Sequence, residues 1–454
     1  MPSMILPALA ALALPAPQAD DADLRVAQLR DAALEDDYAY AITEAITTEL
    51  GPRLAGTAEE ARARKWAVTT LTRMGFKNVR DEPFPLKTWV RGVERAMVVG
   101  ENSQPLVLTA LGNSGATPAA GLTGEVVFFP TLDDLKDAPD GSLAGKIAFV
   151  SHAMTRTQDG SQYGYYGAVR RQGPAIAAAK GAAAILIRSV GTDSHRMPHA
   201  GSTVFPEGTA PIPAAALAVP DADQLERLVG RGAPVRVALT LTPRIVGTQN
   251  SGNVVAEVPG RDPAAGIVVV ACHLDSWDLG TGAIDDASGC GIVAAAAKRI
   301  MDAGRPRRTI RVLWAGSEEV GVFGGKAYFD AHKGDNHVLA AESDFGADRI
   351  WRLDTNFAPA NKPLADRLAA ALAPLGISAG RDPAGGGADV SALVSAGVAG
   401  VDLQQDGTRY FDLHHTPDDT LDKVDPAQMR QNVAAWTAML AVVADAPEAI
   451  SATK

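Results

Sequence analysis

Basic residues are in deficit in this chain of 454 residues: 42 Lys and Arg stand against 53 Asp and Glu, for a formal net charge of −11. No basic stripe offsets that balance, which excludes nucleic acid and anionic membrane surfaces as partners. Long hydrophobic runs are missing as well. The apolar tract at residues 4–14 is too short to span a bilayer, and no other segment approaches that length. Cysteine is nearly absent, with only Cys272 and Cys290. A disulfide between them is geometrically open, but buried free thiols packing as small apolar groups are the expected state, and the pair does not decide the compartment. No internal repeat or long low-complexity tract is visible.

What is present is enough for two domains, or one domain with a large insert, and the 46% hydrophobic content is ordinary for a globular enzyme. Residues 4–14 followed by the small residues to Ala19, just before Asp20 and Asp21, read as a signal peptide over 1–19, although no Lys or Arg precedes the apolar core. The expectation is an exported protein, periplasmic or secreted, with no membrane insertion once the signal is removed.

The chemistry concentrates at predicted strand ends. Residues 266–272 form a short β-branched run that reads as a buried parallel strand, placing His273 at its carboxyl end. Asp285 and Asp286 follow across a tight turn, just before an Ala-rich helical stretch over 287–303 that ends at Gly304. One unit later the strand 309–314 leads into Glu318 and Glu319; one glutamate can bind a metal while its neighbour deprotonates a water. A third apolar stretch finishes in Glu342, Ser343 and Asp344, and His414 and His415 lie in a loop near the C-terminus. Any single acidic pair at a helix start is an ordinary dipole-complementing cap. Acids and histidines recurring at the ends of successive strands are different, because ligands bind at the carboxyl edge of an open α/β sheet. His273, Asp285, Glu319, Asp344 and His415 together suit two borderline divalent ions, most simply zinc, with Asp285 between them.

The residues His273 to Asp278, Gly282 to Asp286, Glu318–Glu319, Glu342 to Asp344, Gly387 to Asp389 and His414 to Thr416 resemble, in that order, the zinc-dependent aminopeptidase and glutamate carboxypeptidase family. The resemblance runs from about residue 50 to about 429 and implies a three-layer α/β zinc-peptidase fold with a mixed, mostly parallel central sheet. It implies two zinc ions per chain bridged by Asp285, one held by His273 and Asp344 and the other by Glu319 and His415. Glu318 is then the general base, and Asp275 fixes the His273 tautomer. Asp389 matches a turn near the site in which Ala388 replaces the usual serine or threonine, and His414 is a candidate substrate contact. A homodimer is also implied.

Residues 116–242 change character, with strands expected near 125–129, 146–150, 183–187 and 235–240 and a helix near 175–180. This segment is similar to the protease-associated domain inserted in many relatives, between peptidase parts at 20–115 and 243–454. It reads equally as a lid over the cleft or as a packing module, and its His195 and His199 are candidate substrate contacts. Helical patterning is expected at 33–50, and a second helix capped by Thr57 runs to Met74. The function expected is hydrolysis of dipeptides, or of the N-terminal bond of short peptides. A metal-dependent amidohydrolase or cyclase on the same fold, or a binding relative without the chemistry, are the alternatives.

Overall fold

Two eight-stranded sheets organise the chain. The structure, a computed structural model, describes residues 21–101 and 103–453; the run read as a signal peptide lies outside the described residues. In the first sheet the strand Ile267–His273 is central, parallel to Thr309–Ala315 on one side and to His337–Glu342 on the other. Ala399–Gln405 continues the parallel run beyond His337–Glu342. Long antiparallel strands, Lys77–Val90 and Arg244–Val258, close one side, and Ile350–Thr355 pairs antiparallel with Ala399–Gln405 at the other. The result is a mixed α/β fold whose four central parallel strands all end at one edge.

Both faces of this sheet are covered, which is why its central strands are apolar on both sides. Val268, Val270 and Cys272 join the core shared with the helices Ser288–Asp302 and Pro426–Asp445, whereas Val269 and Ala271 pack on the opposite face with Tyr328, Val390 and Leu393. The alternation follows from the two-residue period of a strand. The helix Ala58–Met74 starts where the Thr57 side chain accepts from the Glu60 amide, and stops at Gly75 in the left-handed region. The N-terminal helical region departs from expectation: Asp21–Ala33 is one helix, and after a break the chain resumes as Tyr38–Ala45 with a wider terminal turn at Ile46–Leu50.

The second sheet runs Gln104–Leu106, Glu94–Val99, Arg236–Leu241, Leu122–Phe129, Ile147–Val150, Ala184–Arg188, Ala214–Leu217 and Leu108–Ala110. It is flanked by the helices Ala168–Ala179 and Val219–Val229. Three of its strands precede residue 116, so it starts earlier in sequence than the change of composition does. Glu94–Val99 buries mainly alternate residues, leaving too short an apolar signal to mark it.

The expectation of two free thiols is corrected: Cys272 and Cys290 form a disulfide, with their Cα atoms 5.2 Å apart. The strand end and the first turn of helix Ser288–Asp302 meet within bridging distance because that helix packs directly on the strand. Among the described residues, no helix is long and apolar enough to cross a membrane.

Candidate metal centre and active site

The site forms where the parallel strands end. His273 is the last residue of its strand and is fully buried. The chain then loops out and returns through Gly282, whose left-handed φ of +60° lets it turn into the segment Ala283–Ala287. Asp285 and Asp286, joined by a cis peptide, follow in that segment. Their carboxylates divide the work. Asp286 faces inward and accepts from the His273 amide at 3.1 Å and the Gly289 amide at 3.0 Å, whereas Asp285 faces the site.

Asp285 stands between two imidazoles. His273 Nε2 lies 3.0 Å from Asp285 Oδ1 and 3.2 Å from Asp344 Oδ1. On the other side, His415 Nε2 lies 3.2 Å from Asp285 Oδ2 and 2.9 Å from Glu319 Oε2. Each ring's far nitrogen faces a main-chain carbonyl, which can only accept: His273 Nδ1 donates to Asp275 O at 2.9 Å and His415 Nδ1 to Ala200 O at 3.1 Å. Both Nε2 atoms are turned toward the carboxylates, the orientation that a metal ligand needs, and His415 Nδ1 also lies 3.3 Å from the Arg170 guanidinium.

The donor set fits a pair of cations. Asp285 Oδ2 is buried and has no well-aligned hydrogen bond among the described residues, although His415 Nε2 stands 3.2 Å away. Donors bound to one ion at about 2.0–2.2 Å in tetrahedral geometry lie roughly 3.3 Å from each other, close to the spacings here. Electrostatics agree. Burial pushes Glu318 and Glu319 well above the usual carboxylate range and pulls His415 down to about 4. Burial opposes protonation of His273 too, but Asp344 and Asp285 hold that ring well above its ordinary value. The cluster is short of positive charge, which dications would supply.

Glu318 follows Ser317, a non-glycine residue at φ +61°, and its amide donates to Asp275 Oδ1 at 3.0 Å. The Asp275 carboxylate sits 3.8 Å from His273 Nδ1, so it is the Asp275 carbonyl that bonds the ring, while the carboxylate holds the Glu318 backbone. Asp389 is buried beside Glu342: its amide donates to Glu342 Oε2 at 2.8 Å, and burial pushes its own carboxyl up to about 7. His414 stacks on His415 with ring centroids 3.4 Å apart, and its Nε2 is 3.6 Å from Asp285. His199 is buried with both ring nitrogens engaged, Nε2 with Asp193 at 2.8 Å and Nδ1 with the His414 carbonyl at 2.8 Å. His195 is exposed, its amide turned to Asp193.

Three supporting residues had no role assigned from the sequence. Fully buried Arg53 donates to the carbonyls of Gly51, Leu274, Thr281 and Gly282, pinning both ends of the loop between His273 and Asp285. Asp419 Oδ1 accepts from the Ala283 and Ile284 amides, both at 2.7 Å, and so sets the approach to Asp285. Arg170, from the second sheet's side, donates to Ala200 O at 3.2 Å and bonds the Tyr163 hydroxyl beside the histidine pair. A lone Arg or Asp in a loop reads as a solvated residue until the loop is seen to be buried.

The fold and the buried donor set define the class, an α/β metallopeptidase. Residues 253–440 match the profile of peptidase family M28. Carboxypeptidase Q from Bos taurus is 35% identical over 404 residues, 88% of this chain and 84% of that protein; carboxypeptidase Q from Homo sapiens is 34% identical with the same coverage. The crystal structure of a peptidase M28 precursor from Shewanella amazonensis superposes with a TM-score of 0.92 at 44% identity, covering 94% of this chain and 98% of that one. The chain belongs to peptidase family M28. A zinc aminopeptidase from Bacillus subtilis, TM-score 0.65 at 19% identity over 92% of this chain and 98% of that one, shares the fold.

Proposed function

We propose that the protein is an exopeptidase that holds two zinc ions and hydrolyses dipeptides or the N-terminal bond of short peptides. The observation that carries this reading is Asp285, placed within 3.2 Å of the Nε2 atoms of both His273 and His415, each of which also faces a second carboxylate. His273 and Asp344 would hold one ion and Glu319 and His415 the other, with Asp285 shared between them. Kinship with carboxypeptidase Q supports exopeptidase action, and the likeness to a zinc aminopeptidase from Bacillus subtilis supports zinc. The second sheet acts as the protease-associated module and walls one side of the cleft. We extend the proposal to export, supported by the disulfide, and to a homodimer.

When bound, the ion pair supplies Lewis acidity toward the scissile carbonyl and lowers the pKa of water. Glu318 is the one carboxylate of its pair left without an imidazole partner, and it takes the proton of the attacking water. As the water oxygen bonds to the carbonyl carbon and the C–N bond breaks, Glu318 returns that proton to the leaving amine. Asp275 keeps Glu318 in place through its amide. His414 and Asp389 border the site and are positioned for contacts with substrate or with the acids that meet it.

The test is a panel of free dipeptides and N-acylated amino acids, given to the protein as purified, after chelation, and after zinc is restored. Cleavage of dipeptides that disappears on chelation and returns with zinc is the expected result. Cleavage of the acylated amino acids alone would instead establish an amidohydrolase, and no cleavage of either a binding relative.

A further inference from the structure

The four parallel strand ends do not all serve the paired-ion site. Beyond Asp344, on the side toward the strand Ala399–Gln405 and away from Glu319 and His415, lies a cavity of about 220 Å³. Sites that take a whole drug-sized ligand run to about 300–1,000 Å³, so this is room for one side chain. Its walls include Asp159, Glu342, Asp344 and Asp402 together with Phe345 and Gln404, and no Lys, Arg or His lines it. Three of these carboxylates have other duties: Asp344 faces His273, Asp402 accepts from the amides of Gly385 and Gly386, and Asp159 accepts from the Ser161 amide. Glu342 is different. Its residue is only 8% exposed, its Oε2 accepts from the Asp389 amide, and its Oε1 has no partner among the described residues. Glu342 lines the cavity, and a buried carboxylate oxygen with nothing to bond is costly unless a donor arrives with the ligand. The chain crowds that carboxylate deliberately, since a Cβ on Gly387, at φ +113°, would stand 2.3 Å from both Cβ and Oε2 of Glu342.

We infer that this cavity receives the cationic side chain of a lysine or arginine at the substrate's N-terminal position, with Glu342 Oε1 accepting its N–H. The inference rests on the peptidase reading of the adjoining site. Phe345 offers an apolar wall for the methylene stem, and Asp159 and Gln404 also line the cavity. Asp344 belongs to both sites, so a side chain lodged here leaves its own residue's carbonyl beside the ion pair.

The experiment compares Lys-Ala, norleucyl-Ala and Glu-Ala by kcat/KM, and the binding of L-lysinamide and L-norleucinamide to the zinc-loaded protein by calorimetry. Lysine and norleucine share the α-ammonium and the four-carbon stem, and differ in the terminal ammonium that lysine adds. A charged hydrogen bond to a buried partner gives an expected lysine advantage of about tenfold or more in both readings, with Glu-Ala the poorest substrate. In Glu342→Gln the ratio of lysine to norleucine should collapse toward unity. Equal rates and equal binding for lysine and norleucine in the wild-type protein would overturn the inference while leaving the peptidase reading intact. Preferred binding of lysinamide without cleavage of any dipeptide would do the reverse. Loss of both amides together in Glu342→Gln, with no wild-type preference, would reassign the cavity to the α-ammonium.

Discussion

Glu318 and Glu319 are neighbours of identical chemistry, and their surroundings give them opposite tasks. Glu319 Oε2 is 2.9 Å from His415 Nε2 and its Oε1 accepts from the Trp277 amide, so it is held where the proposed ligand role needs it. Glu318 is fixed only through its backbone. Glu318→Gln should therefore keep its metal and lose roughly 10²- to 10⁴-fold in kcat, the usual range for a general base, with KM changed much less. Glu319→Gln should bind metal more weakly and recover activity with excess zinc. Exchanged behaviour of the two variants, read by metal analysis and kinetics together, would exchange the roles. These acids were legible in the sequence because each follows a β-branched run. The tasks of Asp286, Asp419 and Arg53 were not, because what they do is hold backbone, and backbone geometry leaves no pattern in side-chain type.

At the scale of elements, the strand Ile267–His273 and the helix Ser288–Asp302 are the pair on which the site depends, and the Cys272–Cys290 disulfide joins them one residue from His273. Their periodicity was readable, and the strand and helix both fall where the sequence puts them. The bond between them was not readable, since two cysteines eighteen residues apart do not reveal whether strand and helix approach face to face. Closing a loop of that size contributes about 3 kcal/mol in the chain-entropy account. The double variant Cys272→Ala, Cys290→Ala should lose stability of that order in urea unfolding of chelated protein, where metal binding cannot mask the effect. An unchanged midpoint would show that the strand–helix packing is sufficient alone.

Across the whole molecule, the second sheet reaches the centre of the first through the loop that carries Asp193, His199 and Ala200. His199 bonds the His414 carbonyl, Ala200 bonds His415 at both ring and backbone, and Ser202 donates to the Glu319 carbonyl at 3.0 Å. This explains why a histidine within the 116–242 segment is buried: it fastens one layer to the other. His199→Ala should strand the buried Asp193 carboxylate and loosen His415, lowering stability by about 3 kcal/mol or more and weakening metal retention in equilibrium dialysis. Retention equal to the wild type would mean that the two sheets meet without mechanical consequence for the site. The central claim is the ion pair itself, and elemental analysis of active protein tests it most directly. The account predicts close to two divalent ions per chain, zinc foremost, with activity lost as they are removed; full activity in protein that contains no divalent metal would contradict it.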